Sequence, residues 1–93
     1  MLEKAVQKKV VDLWKKAGWL AIKLSTNGRF GSSGWPDYMF LKGGRAVFIE
    51  FKAAGKHMTA LQQERAKQLI ASGFAVWTCD IVEEGAELLE NYT

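Results

Sequence analysis

These 93 residues contain one cysteine, one proline and one histidine. With Cys79 alone, no internal disulfide can close and no Cys/His set exists for a zinc site, so a reduced, cytoplasmic setting is expected. No apolar run is long enough to cross a bilayer, and lysines interrupt the N-terminal apolar positions, so neither a membrane span nor a secretory leader is expected. Linkers, repeats and low-complexity segments are also missing, and the chain reads as one domain over residues 1–93. Finally, residues 80–93 carry no base at all.

What is present is ordinary for a soluble globular protein: 48% apolar residues and 25% charged ones, which excludes a disordered chain. The net charge of +3 conceals a polarity. All 13 Lys and Arg fall within residues 1–79, against five acids, while the remaining five acids lie in the last fourteen positions. A basic body with an acidic tail suits a polyanionic partner such as nucleic acid, met on the side away from the tail. A lysine-rich solvated surface is the competing reading.

Apolar periodicity predicts a first helix over residues 2–17, with Leu2, Ala5, Val6, Val10, Leu13 and Ala17 as its inward stripe and Gly18 ending it. "WLAIKLS" predicts a strand, and the glycine- and serine-rich "TNGRFGSSGWP" a loop. "DYMFL" and "RAVFIEFK" predict two strands joined by Gly43-Gly44, a strong hairpin signal. Thr59 with Gln62 three positions later fits a capping box opening a helix that runs to Ser72. "FAVWTC" predicts a fourth strand, and "VEEGAELLENYT" a short acidic helix that Gly85 makes marginal in isolation. The element order α-β-β-β-α-β-α is that of an α/β fold with a small mixed β-sheet flanked by helices.

The hairpin carries the chemistry. A two-residue turn at Gly43-Gly44 pairs Lys42 with Arg45 and, counting back along both strands, Asp37 with Glu50. Directly opposed residues point to one face with β-carbons roughly 4.5–5.5 Å apart. Lys52, two residues beyond Glu50, shares that face, and Phe51 points to the other. Apolar neighbours on both faces predict a hairpin sandwiched between helices. Opposed carboxylates repel unless one is protonated or a cation lies between them. Hard oxygen ligands suit Mg2+ or Mn2+, with the main-chain carbonyl of Phe51 as a further ligand. A cation there would polarise a phosphate and acidify water, while Lys52 holds or helps deprotonate the nucleophile. Solvated charges at a strand end are the bland alternative.

The same residues resemble a known family. Asp37 after Pro36, followed by Ile49-Glu50-Phe51-Lys52, looks like the PD-(D/E)XK nuclease superfamily. Gly34-Trp35-Pro36-Asp37 before that strand, and Thr59-Ala60-Leu61-Gln62 after it, resemble the VRR-NUC family more narrowly, over residues 3 to about 79. The resemblance implies a restriction-endonuclease-like core and divalent-metal-dependent DNA cleavage. It also implies kinship with stand-alone phage-type members that can form a homodimer. By the same resemblance Asp37 and Glu50 bind metal and Lys52 is catalytic. Glu3 joins the metal directly or through water, and Gln62 orients the lysine or the substrate. A helix-dipole role for Glu3 and a capping role for Gln62 compete with these.

Arg29, Ser32 and Ser33 in the glycine loop are candidate phosphate contacts. Lys8, Lys9, Lys56 and His57 are further candidate DNA contacts, and Lys15, Lys16, Lys23 and Lys42 join the basic surface. Trp14, Trp19, Trp35 and Trp77 are expected as core or dimer contacts, with Trp35, beside the motif, also a candidate to meet DNA. The reading that results is a metal-dependent DNA endonuclease acting on branched or four-way junction DNA. The alternatives are a non-catalytic nucleic-acid-binding module and an interaction protein using the acidic tail.

Overall fold

A computed structural model describes residues 2–24 and 34–92. The order is α1 (Glu3–Lys16), β1 (Leu20–Lys23), β2 (Tyr38–Lys42), β3 (Arg45–Phe51), α2 (Ala60–Ala71), β4 (Ala75–Cys79) and α3 (Val82–Asn91). The predicted order therefore holds, with element ends moved by a residue or two. Most of the predicted glycine loop lies outside the described residues. Among those described, no helix is long and apolar enough to cross a membrane.

The four strands form one mixed sheet in the order β1-β2-β3-β4. β1, β2 and β3 run antiparallel, and β4 joins β3 in parallel after the α2 crossover. Gly43 and Gly44 have φ of 57° and 77°, the two left-handed conformations that a type I′ hairpin turn requires. The turn sets the register: Lys42 faces Arg45, and the ladder runs from there to Tyr38 opposite Ile49. It stops one pair short of the expected Asp37–Glu50 pairing, because Asp37 sits at a bend just before β2. The counting that put those two residues side by side is nevertheless correct.

One face of the sheet supplies Phe40, Val47, Ile49, Phe51 and Cys79 to the main core, which Val6, Val10, Val11 and Trp14 of α1 and Leu88 of α3 complete. The expected stripe on α1 is thus rotated. Leu2 is 81% exposed and Leu13 37%, while Val11 and Trp14 face inward. Trp14 decides this, because its large ring packs at 4.7 Å from Phe40 and 4.9 Å from Trp19. It also donates its indole N–H to the Gly85 carbonyl at 3.1 Å, so the burial leaves no unpaired donor. The sandwich is asymmetric. α2 packs against β4 and Phe74 meets Phe48 at 5.8 Å, but Leu20, Ile70 and Phe74 remain exposed.

α3 is a packed element rather than a marginal one. Arg45 donates to the Tyr92 carbonyl at 2.9 Å and lies over the Trp19 and Tyr92 rings, while Trp77 donates to the Tyr92 hydroxyl at 3.1 Å. Gly85, read from sequence as an interruption, is where α3 approaches α1: a β-carbon there would lie 2.5 Å from Val10 Cγ2. Among the basic candidates, Lys42 reaches back to the Ala17 carbonyl at 2.7 Å and ties off the end of α1.

Alanine normally gains about 1 kcal/mol over glycine in a helix. Here the overlap with the stiff, buried Val10 side chain should reverse that sign. Gly85→Ala is expected to lose about 1–3 kcal/mol in urea unfolding, and pairing it with Val10→Ala should recover part of the loss. A Gly85→Ala protein more stable than the parent would refute this packing.

Candidate nuclease site

Asp37 is fixed from three directions. Pro36 before it is fully buried and restricts the backbone. The Asp37 carbonyl accepts the Leu24 N–H at 2.8 Å, extending the β1–β2 pairing. Its Oδ2 accepts the Phe51 N–H, also at 2.8 Å. The side chain thus substitutes for the strand pairing that ends at Tyr38, and its carboxylate is locked against the end of β3.

Glu50 sits near the end of β3, a central strand, with β4 on its other side and Thr78 as its neighbour there. It is 2% exposed, the one charged residue among the buried side chains described. Its Oε2 has no hydrogen-bond partner. Burial pushes its carboxyl up to about 9, helped by hydrogen bonding to Asp37 and by that residue's charge; Lys52 opposes the rise and Glu3 adds to it. What Glu50 shares with Asp37 therefore runs through its other oxygen. Asp37 before β2 stands against Glu50 on β3; Lys52, just after β3, and Glu3, in the first turn of α1, act on Glu50 through their charges.

The ladder continues past β3, since Lys52 donates its backbone N–H to the Cys79 carbonyl at 3.0 Å. Its side chain lines a cleft of about 420 Å³ together with Thr78, the strand neighbour of Glu50. Lys56 and His57, from the loop before α2, also line the cleft, as does Gln63. So do Asp80 and Glu84. The acidic segment borders the cleft because β4 lies beside β3 and delivers α3 there. Asp80 hydrogen-bonds Glu84 and, by that contact first, raises the Glu84 carboxyl above its ordinary range.

The remaining candidates divide. Gln62 closes the predicted capping box: its Oε1 accepts the Thr59 N–H at 2.9 Å and Thr59 Oγ1 accepts the Gln62 N–H at 3.2 Å. Lys8 pairs with Asp12 at 2.9 Å on the exposed face of α1. Lys9 lines a groove with Ala54 and Asp80. Trp14 and Trp19 are buried in the core, whereas Trp35 and Trp77 are 39% and 43% exposed. Arg29, Ser32 and Ser33 lie outside the described residues. Arg65, not singled out in the sequence, places its guanidinium 4.9 Å from the centre of the Trp35 ring. Nothing local in the sequence signals that contact, because the two residues lie thirty positions apart.

Among the described residues, no group of three or more His, Cys, Asp or Glu side chains is gathered closely enough to form a metal cage. The pair at the centre nonetheless fits a hard divalent cation. A buried carboxylate oxygen without a partner is costly, and a second carboxylate stands against it. A cation would relieve both the orphan and the repulsion.

The fold and the site together define a restriction-endonuclease-like α/β domain. A scan against models of protein families and a search of curated proteins return no match. Among solved structures, one described as a VRR_NUC domain aligns over 98% of this chain and 97% of its own, with a TM-score of 0.82 and 28% sequence identity. That likeness runs through every element that carries Asp37, Glu50 and Lys52. Over nearly its whole length the chain is thus similar to a VRR_NUC domain, a likeness that supports a place among the nucleases.

Glu50 gives the site a pH signature. Its folded-state value near 9 lies above the ordinary carboxylate value. Between about pH 4.5 and 9 the folded chain therefore holds a proton that the unfolded chain has released. In chelator, stability should fall as pH rises through that window, by up to about 1.4 kcal/mol per unit, and level off above it. Glu50→Gln should flatten the profile and exceed the parent in stability at pH 8. Parallel urea-unfolding profiles for the two proteins from pH 5 to 9 would rule this out.

Proposed function

We propose that this protein is a divalent-metal-dependent DNA endonuclease that hydrolyses phosphodiester bonds beside the start of β2 and the end of β3. The observation that carries the reading is the buried Glu50 carboxylate, with one oxygen unpartnered and Asp37 locked against it, beside a cleft lined by Lys52. Asp37 and Glu50 would hold Mg2+ or Mn2+, with the Phe51 carbonyl as a further ligand and Glu3 acting directly or through water. Bound there, the cation would supply Lewis-acid polarisation of the scissile phosphate and a more acidic water.

The protein's own groups do the rest. The Phe51 N–H orients Asp37 through Oδ2, leaving its other oxygen to face the site. Lys52 supplies a positive charge to a phosphate oxygen and holds the attacking water for deprotonation. Lys56 and His57, on the same wall of the cleft, contact flanking phosphates. Gln62, held by its cap, fixes the start of α2 beside them. Lys8, Lys9, Arg29, Ser32 and Ser33 contribute phosphate contacts farther along the strand.

Branched or four-way junction DNA is the proposed substrate, and a homodimer the proposed assembly. Paired cuts on opposite strands need two sites, and exposed Leu20, Ile70 and Phe74 provide apolar side chains for contact with a second copy. A non-catalytic nucleic-acid-binding module would keep the basic surface and use the carboxylates only structurally.

Incubating linear, nicked and four-way DNA with Mg2+, Mn2+ or chelator separates these readings. Cutting should appear only with metal. Lys52→Ala should reduce it about 10²- to 10⁴-fold, and Asp37→Asn should abolish it, with DNA affinity in chelator held within a few-fold in both. Added Mn2+ should raise the melting temperature of the parent and not of Asp37→Asn. If no DNA is cut under any metal condition, the enzyme reading is lost and the binding module stands.

A further inference from the structure

Trp35 lies two residues before Asp37, a separation that extended chain covers in about 7 Å at most. Its ring is therefore within about two or three nucleotides of any phosphate held at Asp37. Unlike Trp14 and Trp19, it is 39% exposed, so it does not serve the core. It is also not free to swing. Gly34, at φ 78°, runs so close to α2 that a β-carbon would fall 2.5 Å from Leu61 Cγ, and the Arg65 guanidinium covers the indole at 4.9 Å from the ring centre. Arg65 in turn donates to Gln68 Oε1 at 3.2 Å. The start of α2 is itself fixed by the Thr59–Gln62 capping box.

An exposed indole, pinned by a cation on a rigid helix and next to a metal-ligand candidate, has the character of a stacking surface. Bases inside a continuous duplex are already stacked on both sides and cannot reach it. A base freed at a fork, flap or junction can, and its π-face needs no sequence. The flanking guanidinium adds positive charge for the adjoining phosphate.

We infer that Trp35, backed by Arg65, is a stacking platform for an unpaired base beside the scissile phosphate, and that it makes the protein prefer DNA with a strand discontinuity over continuous duplex. The inference rests on the nuclease reading above, and its test is made on binding so that the two can fail separately.

Affinity is measured by fluorescence anisotropy in chelator at fixed salt, for a forked DNA with single-stranded arms and for a duplex closed by hairpins at both ends. Trp35→Ala should weaken fork binding about 10- to 100-fold and duplex binding by less than about threefold, while Trp35→Phe retains most of the fork affinity. In the parent protein, replacing bases near the branch one at a time by abasic sites should reproduce the loss at one or two positions. The same abasic fork should cost Trp35→Ala nothing more. Equal losses on fork and duplex, or an abasic series with no sensitive position, would overturn the platform while leaving the nuclease reading in place. Because the abasic series uses the parent chain, the test survives even if Trp35→Ala does not fold. Failure to bind either DNA would remove both.

Discussion

A two-residue glycine turn fixes where every charged group of the site can go. With Gly43 and Gly44 both at positive φ, Lys42 must face Arg45, and the period of two along each strand does the rest. Phe40, Val47, Ile49 and Phe51 fall on the face that packs under α1 and α3, while Glu50 falls on the other. A slip of one residue would exchange these sets, pushing Glu50 into the aromatic core and Phe51 out of it. The apolar core and the acidic site are thus two consequences of one register, and each enforces the other. Trp14 strengthens the lock: its contacts with Phe40 and Trp19, and its bond to Gly85, leave α1 one seat on the sheet.

Within that frame the site stores unfavourable electrostatics. A buried Glu50 carboxyl with an unpartnered oxygen, made to keep its proton by burial and by the neighbouring Asp37, costs the fold free energy. The surroundings hold it in place anyway. Asp37 is tied by its carbonyl to β1 and by its side chain to the Phe51 N–H, and Glu50 lies between two paired strands. Asp37 cannot turn outward without losing the Phe51 N–H bond, and Glu50, on a central strand, is enclosed to 2% exposure. A strained arrangement that persists because its neighbours over-determine it is characteristic of working sites, and the same preorganisation would make a ligand cation bind without rearrangement.

The parts of this molecule legible in the sequence were those set by local rules. The Gly-Gly turn gave the register, Thr59 and Gln62 gave the start of α2, and alternation gave the faces. What escaped depends on contacts distant in sequence. The inward face of α1 was misjudged by one step because Leu13 and Leu2 fit the helical period as well as Val11 and Trp14 do; only the partners across the sheet and α3 select between them. Gly85 carries the weight of a close helix crossing that no local signal announces. The ring of Trp35 and the guanidinium of Arg65 meet across thirty positions, and nothing in either segment alone indicates it. The juxtaposition of Asp37 and Glu50 was readable because both members lie on one hairpin.

Where the acids border the cleft is set by the sheet and not by charge along the chain. Parallel pairing of β4 with β3 sets Asp80 and the first turns of α3 directly beside Lys52. The cleft is therefore lined by Lys52, Lys56 and His57 from the segment after β3 and by Asp80 and Glu84 from the segment after β4. For a polyanion the two sets act oppositely, attracting along the β3–α2 loop and repelling from the start of α3. The α2 side of the cleft is thus the more favourable one for a phosphate chain. That is also the side on which Trp35 stands, so the electrostatic boundary and the exposed ring constrain the same approach from opposite flanks.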